Sequence, residues 1–198
     1  MDRGSHITLM VGVITASVAL LGYWVNQYIQ RREMKAQLYA DALQAIHDYE
    51  EMPYVIRHRP GSDEEVRATL AQRLSEVFAR LKYHQNRLTM DSSVVGEAYA
   101  RLFARTRHQG GNHREEAWRT TPVSDDGAMP GAAYYPYDNH QEFEACLLAM
   151  RRELSPWGPA LRPTTRRRLR RLYLGRPVRR EPEWMRVRRQ QLLSAEQD

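Results

Sequence analysis

The sequence predicts an all-α protein, with an N-terminal transmembrane helix continuing into a small cytoplasmic helical bundle and ending in a basic tail. Three observations lead there. An uncharged apolar run opens the chain, later segments repeat apolar residues at helical spacing, and no stretch alternates β-branched residues with a period of two.

Residues 7–25, from Ile7 to Val25, form the apolar run and contain no charged side chain. As a helix they would extend roughly 28 Å, close to the thickness of a bilayer's hydrocarbon layer. Tyr23 and Trp24 stand at the far edge, where amphipathic rings favour the headgroup level, and Arg31, Arg32 and Lys35 follow. Only Arg3, opposed by Asp2, precedes the run. The positive-inside rule then predicts a single-pass protein of the cell membrane, with residues 1–6 outside and the body in the cytoplasm. Ser17-Val18-Ala19 offers a competing secretory cleavage site, but the leader is barely positive and cleavage would strip only part of the run. Gly12 and Ala16, with Thr15 and Ala19 on the neighbouring face, give the small-residue spacing at which two copies could pair through this helix.

Residues 26–159 read as the bundle. No Gly or Pro lies between Val25 and Met52, so the first helix should continue as one rod, with Leu38, Ala42, Ala45, Ile46 and Tyr49 as its apolar stripe and Pro53 as its end. Ser62 and Glu65 make a capping box for a second helix, whose Leu70, Leu74, Val77, Leu81, His84 and Leu88 recur in heptad-like steps. Asp91 or Ser92 can cap a third, with Val95, Ala98, Tyr99 and Leu102 inside, ending at Gly110-Gly111. Residues 120–138, rich in Pro, Gly, Ser, Asp and Ala, read as a long loop. Asn139 and Glu142 repeat the capping pattern before a helix carrying Phe143, Cys146, Leu147, Met150 and Leu154, and the Pro-Trp-Gly-Pro turn at 156–159 closes the compact part.

Residues 160–198 form an Arg-rich tail. Between 162 and 190 there are twelve Arg against Glu181 and Glu183, a local charge of +10 in a chain of net charge +6, which leaves −4 for the remainder. Thr164 or Thr165 can cap a helix with Leu169, Leu172 and Tyr173 on one side. A last helix could follow Pro182, with Trp184, Val187 and Leu192 as its apolar residues. Arg166, Arg167, Arg168, Arg170, Arg171, Arg179, Arg180, Arg186, Arg188 and Arg189 are the candidate contacts to anionic lipid, an acidic protein or nucleic-acid phosphates.

Catalytic chemistry finds little support. The single cysteine, Cys146, rules out an internal disulfide and a cysteine zinc site, and its stripe position suits a buried small hydrophobe. His108, His113 and Glu115 around the Gly-Gly pair could be read as metal ligands, but an exposed polar loop explains them as well. His84, beside Tyr83, reads as a hydrogen-bonded core histidine, and Asp125-Asp126 lacks the pattern of a calcium loop. Glu50-Glu51 and Glu115-Glu116 point their members to different helix faces. No nucleotide-binding, zinc-protease or nucleophile-elbow motif occurs. No metal ligand, no cofactor and no catalytic residue is therefore assigned.

The apolar first helix, its long continuation, the run FARLKYHQNRLTMDSSVVGEAYARLFAR at 78–105 and Trp118 together resemble single-pass, membrane-anchored helical proteins of bacteria, particularly actinobacteria and their mobile elements. That resemblance covers residues 7–119 and implies a helical fold and a membrane address, without an activity. The expectation is a non-enzymatic interaction or scaffold protein whose partners are membrane lipid, an acidic protein or a second copy. A nucleic-acid-binding protein of a mobile element is the alternative, and a metal-dependent enzyme using the His108–Glu116 stretch is the third reading.

Overall fold

The computed structural model describes residues 3–123 and 135–174, with side chains described at Met10 and from Thr15 onward within that range. Every regular element among them is a helix: α1 (Arg3–Glu50), α2 (Met52–Arg57), α3 (Glu64–Asp91), α4 (Ser93–Arg119), α5 (His140–Glu153) and α6 (Gly158–Tyr173). α3 and α4 pack on each other, α1 lies on α3, and α5 and α6 complete the bundle against α4.

The expected membrane crossing is overturned. No helix among the described residues is long and apolar enough to cross a membrane. α1 is a single helix of 48 residues. Along α1 the uncharged run gives way after Val25 to Asn26, Gln27, Gln30, Arg31 and Arg32, all but Gln27 exposed. The single-pass localisation, with residues 1–6 outside and the body inside, falls with it. Ala16, Tyr23, Trp24, Arg31 and Arg32 are all exposed on α1, and Gly12 lies on the same helix in the stretch without described side chains.

From Tyr39 onward α1 joins the core. Tyr39, Ala42, Ala45, Ile46 and Tyr49 bury their side chains against Val77, Leu81 and Leu88 of α3 and Val95, Ala98, Tyr99 and Leu102 of α4. Cys146 and Met150 of α5 and Leu169 of α6 belong to the same cluster. The periodicity of each stripe explains this directly, since residues three and four apart share one helix face.

Several boundaries differ from the expectation, each for a local reason. Pro53 opens α2 rather than ending the rod, because a missing N–H is harmless in a first turn. Asp63, not Ser62, caps α3, accepting from the Val66 N–H at 2.9 Å, while Ser62 accepts from Arg59 Nε at 3.1 Å. Ser92 and Asn139 stand at the N-termini of α4 and α5 without side-chain cap bonds, since both side chains are used in the interior. The Gly110-Gly111 pair does not break α4. Gly110 is buried where a Cβ would meet Tyr49 Cε1 at 2.7 Å, so the glycine serves close packing rather than a turn. Finally, the bundle does not close at residue 159. α6 starts at Gly158, before either proposed threonine cap, and the Thr164 and Thr165 hydroxyls donate to the Leu161 carbonyl at 2.8 and 2.9 Å. The Arg-rich segment is therefore folded into the bundle as far as Tyr173.

Candidate interaction surfaces

The arginines of α6 fall on one side of it. Thr165 and Leu169 are buried and Arg162, Leu172 and Tyr173 half-buried, whereas Arg166, Arg167, Arg168, Arg170 and Arg171 are exposed. At about 100° per residue those five span an arc of roughly 200° centred opposite the buried side. Arg166 donates to Ser93 Oγ at 2.9 Å; the other four have no hydrogen bond or ion pair among the described residues. Arg152 of α5 reaches the same region, donating to Thr164 and Thr165 at 3.3 and 3.4 Å. Its pKa is lowered by partial burial and then by the like charge of Arg168. Arg179, Arg180, Arg186, Arg188 and Arg189 lie outside the described residues.

A buried ionic network sets the orientation of that face. Glu153, with its side chain 3% exposed, receives Arg162 Nε at 3.1 Å on Oε2 and a second Arg162 donor on Oε1. Ser92 Oγ also donates to Oε2 at 3.1 Å. Lys35 of α1 bonds Asp91 at 2.8 Å and stands 3.9 Å from Glu153, and Tyr39 donates to Asp91 at 2.7 Å. Burial, and then the bond to Asp91, pushes the Tyr39 hydroxyl far above its usual range. Four helices and the α3–α4 joint meet here, and each carboxylate is occupied. The arrangement therefore serves to lock the fold and leaves no carboxylate poised for proton transfer.

On the outer side of α1 and α3 a groove of about 700 Å³ opens, lined among others by Met34, Leu38, Tyr83, His84, Arg87 and Met90. His84 lines it rather than sealing into the core. Its Nδ1 is buried without a hydrogen-bond partner among the described residues, against the expected hydrogen bond. Burial lowers its pKa, Asp41 opposes that shift and Arg80 adds to it.

The His108–Glu116 stretch separates once folded. It is part of α4, not a loop. His108 is exposed, Glu115 bonds Arg119 at 2.7 Å, and His113 donates from Nε2 to the Pro136 carbonyl at 3.0 Å while its ring packs on Tyr137. No group of three or more His, Cys, Asp or Glu poised for a metal occurs among the described residues. Cys146 is buried, and burial raises its thiol to about 12, so it stays a protonated core side chain at neutral pH. Asp125 and Asp126 lie outside the described residues.

What the sequence alone did not reveal was Arg59. It is buried and has no ion pair among the described residues. It donates instead to the carbonyls of Ile56, Ala117, Trp118 and Thr120 at 2.6 to 3.1 Å and stacks on Trp118 at 4.8 Å. A cation at the negative end of α4 supplies donors to the Trp118 and Thr120 carbonyls and shares the Ala117 carbonyl with the Thr120 hydroxyl, which donates to it at 2.6 Å.

No protein-family model matches the chain, and no match was found among curated proteins or solved structures.

Proposed function

We propose that this chain is a helical interaction protein that works by binding, and that the exposed arginine face of α6 holds an acidic protein partner. The carrying observation is the arc of five exposed arginines, which form no ion pair among the described residues and are oriented by the Arg162–Glu153 pair. Guanidinium groups present paired donors that match carboxylates bidentately, so a rigid row of them favours an acidic protein surface.

Poly-L-glutamate serves as the probe, with single-stranded DNA as the competing one. Replacing Arg166, Arg167, Arg168, Arg170 and Arg171 with Gln should abolish poly-L-glutamate binding and leave stability nearly unchanged, because all five are exposed. Unchanged binding by the variant would defeat the proposal. Preferential binding of DNA with a steep salt dependence would favour the nucleic-acid reading instead.

A further inference from the structure

α1 and α3 run antiparallel, with Lys35 bonded to Asp91 near one end of the pair and Asp48 to Arg80 further along. α1 therefore leaves the bundle beside the α3–α4 joint, and from Thr15 to Met34 every side chain is exposed except half-buried Gln27. Leu20, Leu21 and Trp24 are 60%, 64% and 66% exposed, values expected of solvent-facing polar residues.

Two features say what covers this arm. The large apolar side chains of Val18, Leu20, Leu21, Tyr23, Trp24 and Val25 sweep about 220° of the helix, more than the roughly 100° stripe that packs on a folded partner. Such a helix fits an apolar medium on most of its sides. The second feature is the collar at its base. Arg31 and Arg32 on α1 and Arg87 on α3 have no hydrogen bond or ion pair among the described residues. Lys35 is held by Asp91, and Glu33 and Asp41 offset part of the charge of the three arginines, so the collar keeps a net positive charge. Met34 and Met90 are exposed between them, Met90 by 84%. Tyr23 accepts from Gln27 at 3.2 Å where apolar residues give way to polar ones, the usual level of aromatic side chains at a lipid interface.

We propose that this end of the bundle docks on an anionic lipid surface. The exposed apolar side chains of the arm pack against lipid, and Arg31, Arg32 and Arg87 meet the headgroups. This surface is separate from the arginine face of α6.

The test is cosedimentation of the full chain at low salt with vesicles of phosphatidylcholine, either alone or with about a third phosphatidylserine. Binding should be stronger to the anionic vesicles. Gln at Arg31, Arg32 and Arg87 should weaken that binding by about fivefold per arginine, leaving affinity for neutral vesicles unaltered. Ser at Leu20, Leu21 and Trp24 should remove binding to both. These arm positions touch nothing in the core, so helicity and unfolding midpoint serve as controls, and Arg87→Gln alone tests the collar from a second helix. Equal binding to both vesicle types would overturn the proposal. So would a stable dimer in sedimentation that ignores vesicles, which would make a second copy the occupant.

Discussion

Arg162 donates from Nε to Glu153 Oε2 at 3.1 Å, and this contact ties the α6 arginine face to the interior of the bundle. Glu153 is nearly fully buried, while Arg162 keeps about a third of its side chain in water. Glu153→Ala would strand Arg162 and remove the acceptor of Ser92. A loss of about 3 kcal/mol is expected in urea unfolding, at the lower end for a broken buried pair because Arg162 stays partly solvated. The double replacement of Glu153 and Arg162 by Met should cost less than Glu153→Ala alone, since neither charge is then left unpaired. A double variant worse than the single one would mean that the pair adds much more than it loses by desolvation.

Gly110 and Gly111 offer a matched contrast on one helix. A Cβ on Gly110 would stand 2.7 Å from Tyr49 Cε1 and 3.1 Å from the Tyr137 hydroxyl, whereas one on Gly111 would meet nothing within 4 Å. Gly110→Ala should destabilise by about 1–3 kcal/mol through overpacking. Gly111→Ala should stabilise by about 0.5–1 kcal/mol through helix propensity. Thermal unfolding of the two variants reads both signs, and a stable Gly110→Ala protein would contradict the close approach.

Arg59 gathers the C-terminal carbonyls of α4 with those of α2. Arg59→Ala removes the guanidinium donors of the Trp118 and Thr120 carbonyls, while Ala117 keeps the Thr120 hydroxyl at 2.6 Å and Ile56 keeps the residue-59 N–H at 3.3 Å, so a loss of about 1–3 kcal/mol is expected. Arg59→Lys should recover less than half of it, because one ammonium cannot reach carbonyls spread along a planar fork or stack on Trp118. Full recovery by Lys would show that charge alone matters at this helix end.

Interior positions were legible where a stripe was enough to place them. Tyr49, Leu81, Tyr99 and Cys146 all sit in the core, as their periodicity implies. What failed to read through were decisions made by tertiary partners. Gly110-Gly111 carries the composition of a break, yet the tyrosines packed on Gly110 hold it helical. Asn139 has the composition of a cap, yet its amide donates to Glu50 and Thr106 at 2.6 and 2.9 Å. Trp157-Gly158-Pro159 looks like an end but starts α6, because Leu169 had a core to join. The apolar opening run spoke for a membrane crossing, while the described helix is too short in apolar length for one. The α6 arginines were named from charge alone; their common face came from the burial of Thr165 and Leu169.

His84 should make stability depend on pH. Burial lowers its pKa in the fold below the ordinary histidine value of 6.5, and Arg80 adds to the shift. Asp41 from α1 opposes it, and Arg31, Lys35, Arg87 and Asp91 line the same groove. The unfolded chain therefore takes up the proton more readily than the folded one. As pH falls below 6.5, protons bind preferentially to the unfolded state, and the stability present above that value declines until the folded pKa is passed. His84→Gln keeps a neutral polar side chain of similar reach and cannot titrate. The difference in urea midpoint between the natural chain and this variant should shift against the natural chain between pH 7.5 and pH 5. The other six histidines are common to both proteins and cancel in that difference. Parallel pH profiles for the two would show that His84 titrates in the groove as it does in water.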